Sequence, residues 1–343
     1  MKISFGSEIK KTAWGGGNKF LINISNYLKL KNIEVVYDLK DNDIDIIVLM
    51  DPRVDSSSST FNHLDIDKYL KFKNKNAIIV HRINECDERK GTNYVNKNLT
   101  DANKFADCTI FISTWLKKLL NKNNTFKDPK VILNGANKKI FSFSNSNKNI
   151  ESKIKIVTHH WSAHKNKGFE IYNYLDQLLD DTNLSKIVEF TFIGNLPKNF
   201  KFKNSRYLPP KHDKELADII KENNIYLTAS LNEPGGNHQN EGLNCGLPVL
   251  YLNSGCMEEY CHGYGLDYEK HFLKEKIFEI QTNYNYYKEK LKSYPYNSDF
   301  MCKNYLDVFN KLIENRDEIL KNRRLPKITF WTKLKYKLNL KFF

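Results

Sequence analysis

The chain has 343 residues, more than the roughly 250–300 residues at which a single hydrophobic core stops growing, so two domains are expected. Hydrophobic residues make up 40% and charged residues 27%, a globular composition that excludes a disordered chain. No apolar run approaches the ~18–20 residues of a spanning helix, and the amino terminus shows no signal-peptide pattern, so a cytoplasmic protein is expected. The six cysteines form no C-x-x-C pair, and no metal site is predicted.

The net charge of +14 at first favours a nucleic-acid partner. However, lysine is spread along the whole chain, without an aromatic RNA-binding segment or a helix-turn-helix pattern. Nucleic acid is therefore not the expected partner. Attraction to phosphorylated substrates or to an anionic membrane surface accounts better for the charge.

The first half of the chain alternates short apolar runs with amphipathic stretches. Six strands are predicted, at residues 1–6, 33–37, 45–50, 77–81, 109–112 and 131–133. A glycine triplet at residues 15–17 follows the first strand, and apolar residues at helical spacing follow the triplet. Strands that alternate with helices across short loops predict a parallel sheet covered on both faces.

A polar segment at residues 142–152 shows no periodicity and predicts a linker between two domains, residues 1–141 and 153–298. Beyond it the alternation resumes, with a helix from Gly168. Further strands are predicted at residues 155–157, 188–193, 225–229 and 249–252, with a short helix at 241–245. The predicted fold class is therefore α/β, with two Rossmann-like, doubly wound parallel-sheet domains and a cleft between them.

The carboxyl-terminal part contains two further segments. Residues 299–320 predict one long helix, and we expect residues 299–324 to cross back to the first domain. The tail at 325–343 is basic and amphipathic, whether it is interpreted as a strand or as a helix. It is either an anchor to an anionic membrane surface or a frayed charged end.

The most informative segment follows the strand predicted at residues 225–229. Two glutamates, Glu233 and Glu241, enclose seven residues that include Gly235, Gly236 and Asn237. A strand, a glycine-containing loop and a helix in this order would place backbone N–H groups at the carboxyl end of the sheet. Ligands of such sheets bind at that edge, and a helix amino terminus there favours phosphate.

This segment, with the Gly-Leu-Pro-Val that ends at Val249, resembles the family-four type of retaining glycosyltransferases of the GT-B fold. The resemblance covers roughly residues 1–320. It implies that Glu233 contacts the donor sugar, Glu241 holds the ribose hydroxyls, and Gly235, Gly236 and Asn237 lie at the donor. It also implies that residues 1–141 face the acceptor and that residues 153–298 bind the nucleotide sugar.

Other segments agree with the resemblance in chain order. Gly16 and Gly17 match a glycine-rich loop near the donor phosphates, and residues 131–137 match an Asn-Gly segment that closes the first domain. Lys167, in a Lys-Gly pair, would neutralise the donor diphosphate. Ser162 stands where the family usually has an arginine. Lys165 would then supply the missing charge, or His160 or His164 a hydrogen bond.

In the first domain, His81 and Arg82 come after the apolar residues 77–80, so both are expected to point into the cleft. The resemblance makes His81 a residue beside the anomeric carbon, catalytic together with Glu233 and Lys167. The polar run that follows is assigned to the acceptor side, with Arg82, Asn84 and Asp87 as its residues.

The resemblance thus implies sugar transfer from a UDP- or GDP-linked donor to an acceptor hydroxyl, with retention and without a metal or a cofactor. Surface glycan or polysaccharide synthesis is the expected setting, with a glycan or lipid-linked acceptor and a peripheral position on the inner membrane face. Three alternatives remain: a GT-B-fold nucleotide-sugar epimerase, a DNA glucosyltransferase, and an inactive nucleotide-sugar binding module.

Overall fold

The computed structural model describes residues 1–10, 15–53, 59–144, 150, 152–327 and 334. The chain divides into two compact units: unit 1 is Met1–Ile132 with Cys302–Phe343, and unit 2 is Leu133–Met301. Each unit contains a six-stranded sheet in which all neighbouring strands pair in parallel. The predicted fold class of two parallel α/β sheets is therefore confirmed.

Unit 1 follows the predicted order of elements. Its strands are β1 (Lys2–Phe5), β2 (Glu34–Val36), β3 (Ile46–Leu49), β4 (Ile78–Ile83), β5 (Cys108–Phe111) and β6 (Pro129–Val131). Its helices before β6 are α1 (Gly16–Lys29), α2 (His63–Phe72), α3 (Asp87–Lys90), α4 (Val95–Asn103) and α5 (Thr114–Leu120). The strand order in the sheet is β2-β1-β3-β4-β5-β6.

The central strands of unit 1 are apolar at nearly every position because helices cover both faces of the sheet. All four residues of β3 are fully buried, although successive side chains of a strand point to opposite faces. Ile47 and Leu49 pack in one cluster with residues of α2, such as Ile66. This explains why residues 46–50 form a continuous apolar run rather than an alternating one.

Unit 2 repeats the same architecture. Its strands are β7 (Ile154–His160), β8 (Val188–Gly194), β9 (Arg206–Leu208), β10 (Ile225–Thr228), β11 (Val249–Tyr251) and β12 (Gly265–Asp267). Its helices are α6 (Phe169–Leu178), α7 (Thr182–Ile187), α8 (Asp213–Lys221), α9 (His238–Asn244), α10 (Met257–Cys261), α11 (Leu273–Thr282) and α12 (Tyr284–Leu291). Strands β9 and β12 were not predicted, because each mixes charged residues or glycine with apolar residues and so forms no apolar run.

The sheet of unit 2 has the order β12-β11-β10-β7-β8-β9. The chain therefore runs outward from β7 on one side through β8 and β9, and returns on the other side of β7 with β10. The direction of winding reverses between β7 and β10, where the loops beyond the strands diverge. Sheets of this kind bind ligands at the carboxyl ends of the two strands on either side of such a reversal.

The boundary between the units lies earlier than predicted, because residues 133–144 pack in unit 2. Phe141 and Phe143 belong to its apolar clusters, and Ser144 N donates to the carbonyl of Cys245 at 3.2 Å. Ile150 is buried in the cluster on the other face of the sheet. The described residues of the predicted linker are thus part of unit 2, since two of its apolar side chains, Phe143 and Ile150, anchor an otherwise polar segment.

The long helix predicted at residues 299–320 is two helices, α13 (Ser298–Glu314) and α14 (Arg316–Asn322). Asn315 separates them, and its side-chain amide donates to the carbonyl of Lys311, a local bond that competes with continuation of the helix. Residues from Cys302 onward group with unit 1, where the Tyr305 ring lies 5.0 Å from that of Phe20.

The predicted basic tail lies almost entirely outside the described residues. Within the described part of the chain, no helix combines the length and apolar character needed to cross a membrane. All six cysteines are buried free thiols.

Candidate functional site

The loop after β7 brings Lys167 to the end of β10. A short 3-10 helix, Lys165–Lys167, ends at Gly168, whose φ is +79°. A Cβ on Gly168 would lie 2.1 Å from the carbonyl oxygen of Ala229, just after β10. Only glycine combines this left-handed conformation with so close an approach, so the Lys-Gly pair fixes Lys167 at the point where the sheet reverses.

Lys167 and Glu233, two of the three predicted catalytic residues, meet there. The Lys167 Nζ lies 3.0 Å from the Glu233 Oε2, and the two side chains are only 11% and 8% exposed. The turn that contains Cys256 fixes the backbone of Glu233, because Cys256 N donates to the Glu233 carbonyl at 2.8 Å. Gly255, with φ +68°, lies so close that a Cβ would stand 2.3 Å from that same oxygen.

Glu241 lies on the first turn of α9 and is 2% exposed. Its Oε2 is 2.7 Å from the Nε2 of His159, the penultimate residue of β7. A carboxylate removed from water in this way needs charge-assisted hydrogen bonds, which are stronger than neutral ones. The structure therefore places both predicted glutamates at the β7–β10 reversal, each against a nitrogen from the β7 side.

The loop between the glutamates is held by unit 2 itself. Asn134 Nδ2 donates to the carbonyl of Gly235 at 2.6 Å, which gives the Asn-Gly segment at residues 131–137 a place beside the predicted donor loop. Beneath Gly236 lies the His238 ring, which a Cβ there would approach to 2.8 Å. The His238 Nε2 is 2.8 Å from the Thr228 Oγ1 at the end of β10. Asn237 caps α9.

Ser162 and Lys165 are exposed on the same loop as Lys167. The Ser162 Oγ accepts a hydrogen bond from His164 N at 3.1 Å, and His164 Nδ1 accepts one from Asn166 N. His160 is 2% exposed, and its Nε2 is 2.6 Å from the Tyr172 hydroxyl. Which of these residues replaces the usual arginine stays a prediction.

In unit 1 the glycine triplet opens helix α1. Gly15 is the N-cap residue, and Gly16 and Gly17 form the first turn. A Cβ on Gly15 would have open space around it, and one on Gly17 would touch nothing nearer than the Asn84 side-chain nitrogen at 4.0 Å. Two predicted elements of unit 1, the glycine loop and Asn84, thus lie close together.

The prediction that His81 and Arg82 both point into a cleft beyond the strand is wrong. Strand β4 continues to Ile83, so both residues lie inside it and their side chains point to opposite faces. His81 is fully buried, and Asn103 Nδ2 lies 3.2 Å from its Nδ1. Arg82, 1% exposed, donates from Nε to the Tyr305 hydroxyl and lies over the Phe20 ring.

Burial, together with the neighbouring His63, lowers the pKa of His81 to about 3. The ring is therefore neutral, and since an amide nitrogen only donates, Asn103 makes Nδ1 the acceptor and leaves the proton on Nε2. The structure gives His81 and Arg82 packing roles in unit 1. Their roles in a reaction stay predictions.

Asp87 has a local structural role as well. Its Oδ1 accepts from the Thr92 hydroxyl at 2.6 Å and from Val95 N at 2.8 Å, and its Oδ2 accepts from Asn96 N. These bonds cap helix α4 from the preceding turn. An acceptor contact for Asp87 is not tested by this geometry.

Sequence reasoning missed three residues that build the site in unit 2. His159 lies near the end of β7, Tyr226 inside β10 and His238 at the start of α9, and the His159 and Tyr226 rings are 5.7 Å apart. The available signal was the polar end of an otherwise apolar strand, Thr-His-His after residues 154–157. A tyrosine inside an apolar strand gives no such signal.

The fold of the chain, but not its sequence, matches known proteins. No protein-family model and no curated protein matches the sequence. The fold resembles that of Anabaena HepE, solved in complex with UDP, at 13% identity over 91% of this chain and 100% of that one, with a TM-score of 0.67. Sucrose-phosphate synthase from Thermosynechococcus elongatus matches at 11% identity, 91% and 99% coverage, and a TM-score of 0.65.

The chain has the GT-B fold. An alpha-glucosyltransferase, in complex with UDP and a 13-mer DNA that contains an A:G mismatch, also matches. Its identity is 12% over 90% of this chain and 99% of that one, with a TM-score of 0.59. Identities this low establish the fold alone, so the chemistry of the chain has to be argued from its own residues.

Proposed function

We propose that the protein is a glycosyltransferase that moves a sugar from a nucleoside diphosphate sugar to an acceptor hydroxyl. The observation that supports this most is the charged group at the winding reversal of unit 2, formed by Lys167, Glu233 and Glu241. All three groups are nearly buried at the edge of the sheet where the strands end. The ammonium group can bind the phosphates of a ligand, and the two carboxylates can accept hydrogen bonds from its hydroxyls. The GT-B fold of the chain agrees with this reading.

In the proposed reaction the bond between the anomeric carbon and the diphosphate oxygen breaks, and a bond to the acceptor oxygen forms. Lys167 stabilises the charge that grows on the leaving diphosphate, Glu233 holds hydroxyls of the sugar, and Glu241 holds those of the ribose. When the donor enters, the Lys167–Glu233 pair exchanges its direct contact for contacts with ligand groups. The contacts of Gly16, Gly17, Gly235, Gly236 and Asn237 with the donor stay part of the proposal.

The finer features of the proposal rest on the resemblance to family-four enzymes. They are retention at the anomeric carbon, transfer of the acceptor proton to the leaving phosphate, and independence from a metal or cofactor. We also propose a glycan or lipid-linked acceptor in surface polysaccharide synthesis, with the tail at residues 325–343 on an anionic membrane surface.

Thermal unfolding with UDP, GDP, ADP and CMP tests the donor site. We expect one nucleoside diphosphate to raise the Tm of the wild type and to raise that of Glu241→Ala much less, since a ligand stabilises only the state it binds. The control is Glu258→Ala, an exposed acidic residue on α10 of unit 2 that lies outside the site. If no nucleotide raises the Tm of the wild type, the proposal is wrong.

A DNA acceptor is the second candidate, and the net charge of +14 is the observation that favours it. Binding that depends on phosphate contacts weakens steeply as salt rises. The affinity of the protein for double-stranded DNA is measured at 50 and at 200 mM salt. A fall in affinity of roughly 10³-fold or more between the two would support a DNA acceptor. Weak binding without such a slope would remove it.

A further inference from the structure

A buried histidine and tyrosine lie behind Glu241 and connect it to the sheet. The His159 imidazole contacts two residues, with Nε2 at 2.7 Å from the Glu241 Oε2 and Nδ1 at 3.0 Å from the Tyr226 hydroxyl. The three side chains come from three elements, β7, α9 and β10. His159 is 9% exposed, and Tyr226 is fully buried.

The hydrogen bonds fix where the protons lie. Burial raises the pKa of Tyr226 well above its ordinary value, so the hydroxyl keeps its single proton. The same hydroxyl accepts the backbone N–H of His159 at 3.3 Å, so its proton is left for Nδ1. Since Nδ1 then accepts, Nε2 carries the ring proton and donates it to the Glu241 carboxylate.

The helix that carries Glu241 rests on the same tyrosine. Gly242 lies against the Tyr226 ring, where a Cβ would come within 2.4 Å of a ring carbon. Tyr226 therefore fixes both the height of α9 above the sheet and the orientation of His159. A carboxylate held from two directions cannot turn freely, and positioned groups bind a ligand better than groups that must first be ordered.

We infer that His159, oriented by Tyr226, is the positioning residue that aims the Glu241 carboxylate at the ribose hydroxyls of the nucleotide and so makes the site selective for ribonucleotides. The inference rests on the proposed function and adds a residue to it. His159 itself touches Glu241 rather than the ligand. Its loss should therefore change how well the site distinguishes ribose from deoxyribose, more than it changes contacts to the diphosphate.

The test is calorimetric titration of UDP, 2′-deoxy-UDP, GDP and 2′-deoxy-GDP into the full-length protein. We expect the wild type to bind one ribonucleotide about tenfold or more tightly than its 2′-deoxy form, as hydrogen bonds to charged groups allow. In His159→Phe this ratio should fall to about two or below. In His159→Gln, whose amide can still donate to Glu241, the ratio should recover in part.

His160→Phe is the matched control. His160 is the next residue of β7, is also buried and lies 2.6 Å from the hydroxyl of its own tyrosine, Tyr172, and its side chain points to the face of the sheet opposite that of His159. Its replacement should leave the ribose-to-deoxyribose ratio at the wild-type value even if affinity for both nucleotides drops, because effects on the shared diphosphate cancel in the ratio.

The outcomes separate the two proposals. If the wild type binds none of the four nucleotides, the proposed function fails. If it binds and discriminates, and His159→Phe discriminates equally well, only the role of His159 is wrong. A wild type that binds ribose and deoxyribose forms equally also overturns the inference, because Glu241 then does not read the ribose. Thermal unfolding of each variant confirms that the chain is folded.

Discussion

Two parallel strands of this protein carry consecutive polar residues at or near their carboxyl ends, and the two pairs have different surroundings. His81 and Arg82 on β4 of unit 1 are buried against Asn103, Phe20 and Tyr305. On β7 of unit 2, the pair is His159 and His160, and His159 contacts the carboxylate of Glu241. The two sheets have the same architecture, so the strand end alone does not make a site.

The difference lies in the groups beside each histidine. In unit 1 the two histidines at and near β4 are kept neutral, since burial lowers the pKa of His81 to about 3 and that of His63 to about 4. In unit 2 the loops beyond the strand bring Lys167 to Glu233. Charges can persist in such a protected place only when they are paired. A paired charge can exchange its partner for a charged group of a ligand, whereas a neutral buried ring offers no charge to bind.

The largest effect should come from breaking the buried ion pair of unit 2. Lys167→Met leaves the Glu233 carboxylate nearly buried without its cation, so we expect the free energy of unfolding to fall by about 3–5 kcal/mol. The double variant Lys167→Met with Glu233→Gln should recover much of this loss without recovering nucleotide binding. Urea unfolding measures both.

An exposed pair in the same unit provides the control for this prediction. Lys203 and Asp180 form an ion pair whose side chains are 75% and 49% exposed. Lys203→Met should leave the free energy of unfolding nearly unchanged, because water screens such pairs. Equal losses for Lys167→Met and Lys203→Met would contradict the view that unit 2 is built around a protected charge pair.

The neutral histidines of unit 1 predict a dependence of stability on pH. The unfolded rings bind protons near pH 6.5, whereas the folded rings do so only near pH 3 and pH 4, so the unfolded state takes up more protons on acidification. The stability contribution is complete above pH 6.5 and decreases as the pH falls toward 4. Between pH 7 and pH 5 each ring should lower the free energy of unfolding by about 2 kcal/mol.

Urea unfolding at pH 7 and pH 5 measures this effect, and His63→Phe isolates it. The variant removes one buried imidazole that can titrate. Its free energy of unfolding should therefore fall by about 2 kcal/mol less between the two pH values than that of the wild type. His262→Phe is the control, because that ring is exposed on unit 2. An identical pH dependence in wild type and His63→Phe would show that the ring is not held neutral.

A smaller effect should follow from moving the turn behind Glu233. Gly255→Ala introduces a Cβ that would stand 2.3 Å from the Glu233 carbonyl oxygen, so the turn or the loop has to shift. Gly263→Ala has a similar φ, +80° against +68°, but open space around it. We expect about 1–2 kcal/mol of destabilisation from backbone strain in both, and a further loss with weakened nucleotide binding only in Gly255→Ala.

Calorimetric titration of UDP and GDP separates these two glycine variants. If Gly263→Ala weakens binding as much as Gly255→Ala does, strain in the unit rather than displacement of Glu233 is responsible. Folding of both variants is checked by circular dichroism.

Much of the fold could be predicted from the sequence because strands covered on both faces are apolar along their whole length. Residues 46–50 are of this kind and residues 188–193 are apolar apart from Glu189 and Thr191, and both segments contain strands of the sheets. Predicted ends were less accurate where polar residues continue a strand. Residues 77–81 ended too early because the buried Arg82 looked like the start of a loop.

The candidate site was predicted in part for a similar reason. The Glu233 and Glu241 spacing and the Lys167-Gly168 pair are local patterns, and the structure places these residues at one edge. His159 contacts Glu241 across 82 residues of sequence and Tyr226 across 67. No local pattern encodes such contacts, because only the strand order of the sheet creates them.

The smallest effect tests whether Arg82 belongs to the core of unit 1. Tyr305→Phe removes the hydroxyl that accepts from the Arg82 Nε at 3.1 Å, and both side chains are almost fully buried. We expect a loss of about 1 kcal/mol in the free energy of unfolding. Tyr207→Phe on β9, where the ring is 44% exposed, should have no measurable effect.

Because the proposed nucleotide contacts of unit 2 do not involve the Arg82–Tyr305 pair, the Tm increase produced by the bound nucleotide should be the same in Tyr305→Phe as in the wild type. A reduced increase would instead show that the Arg82–Tyr305 pair affects nucleotide binding.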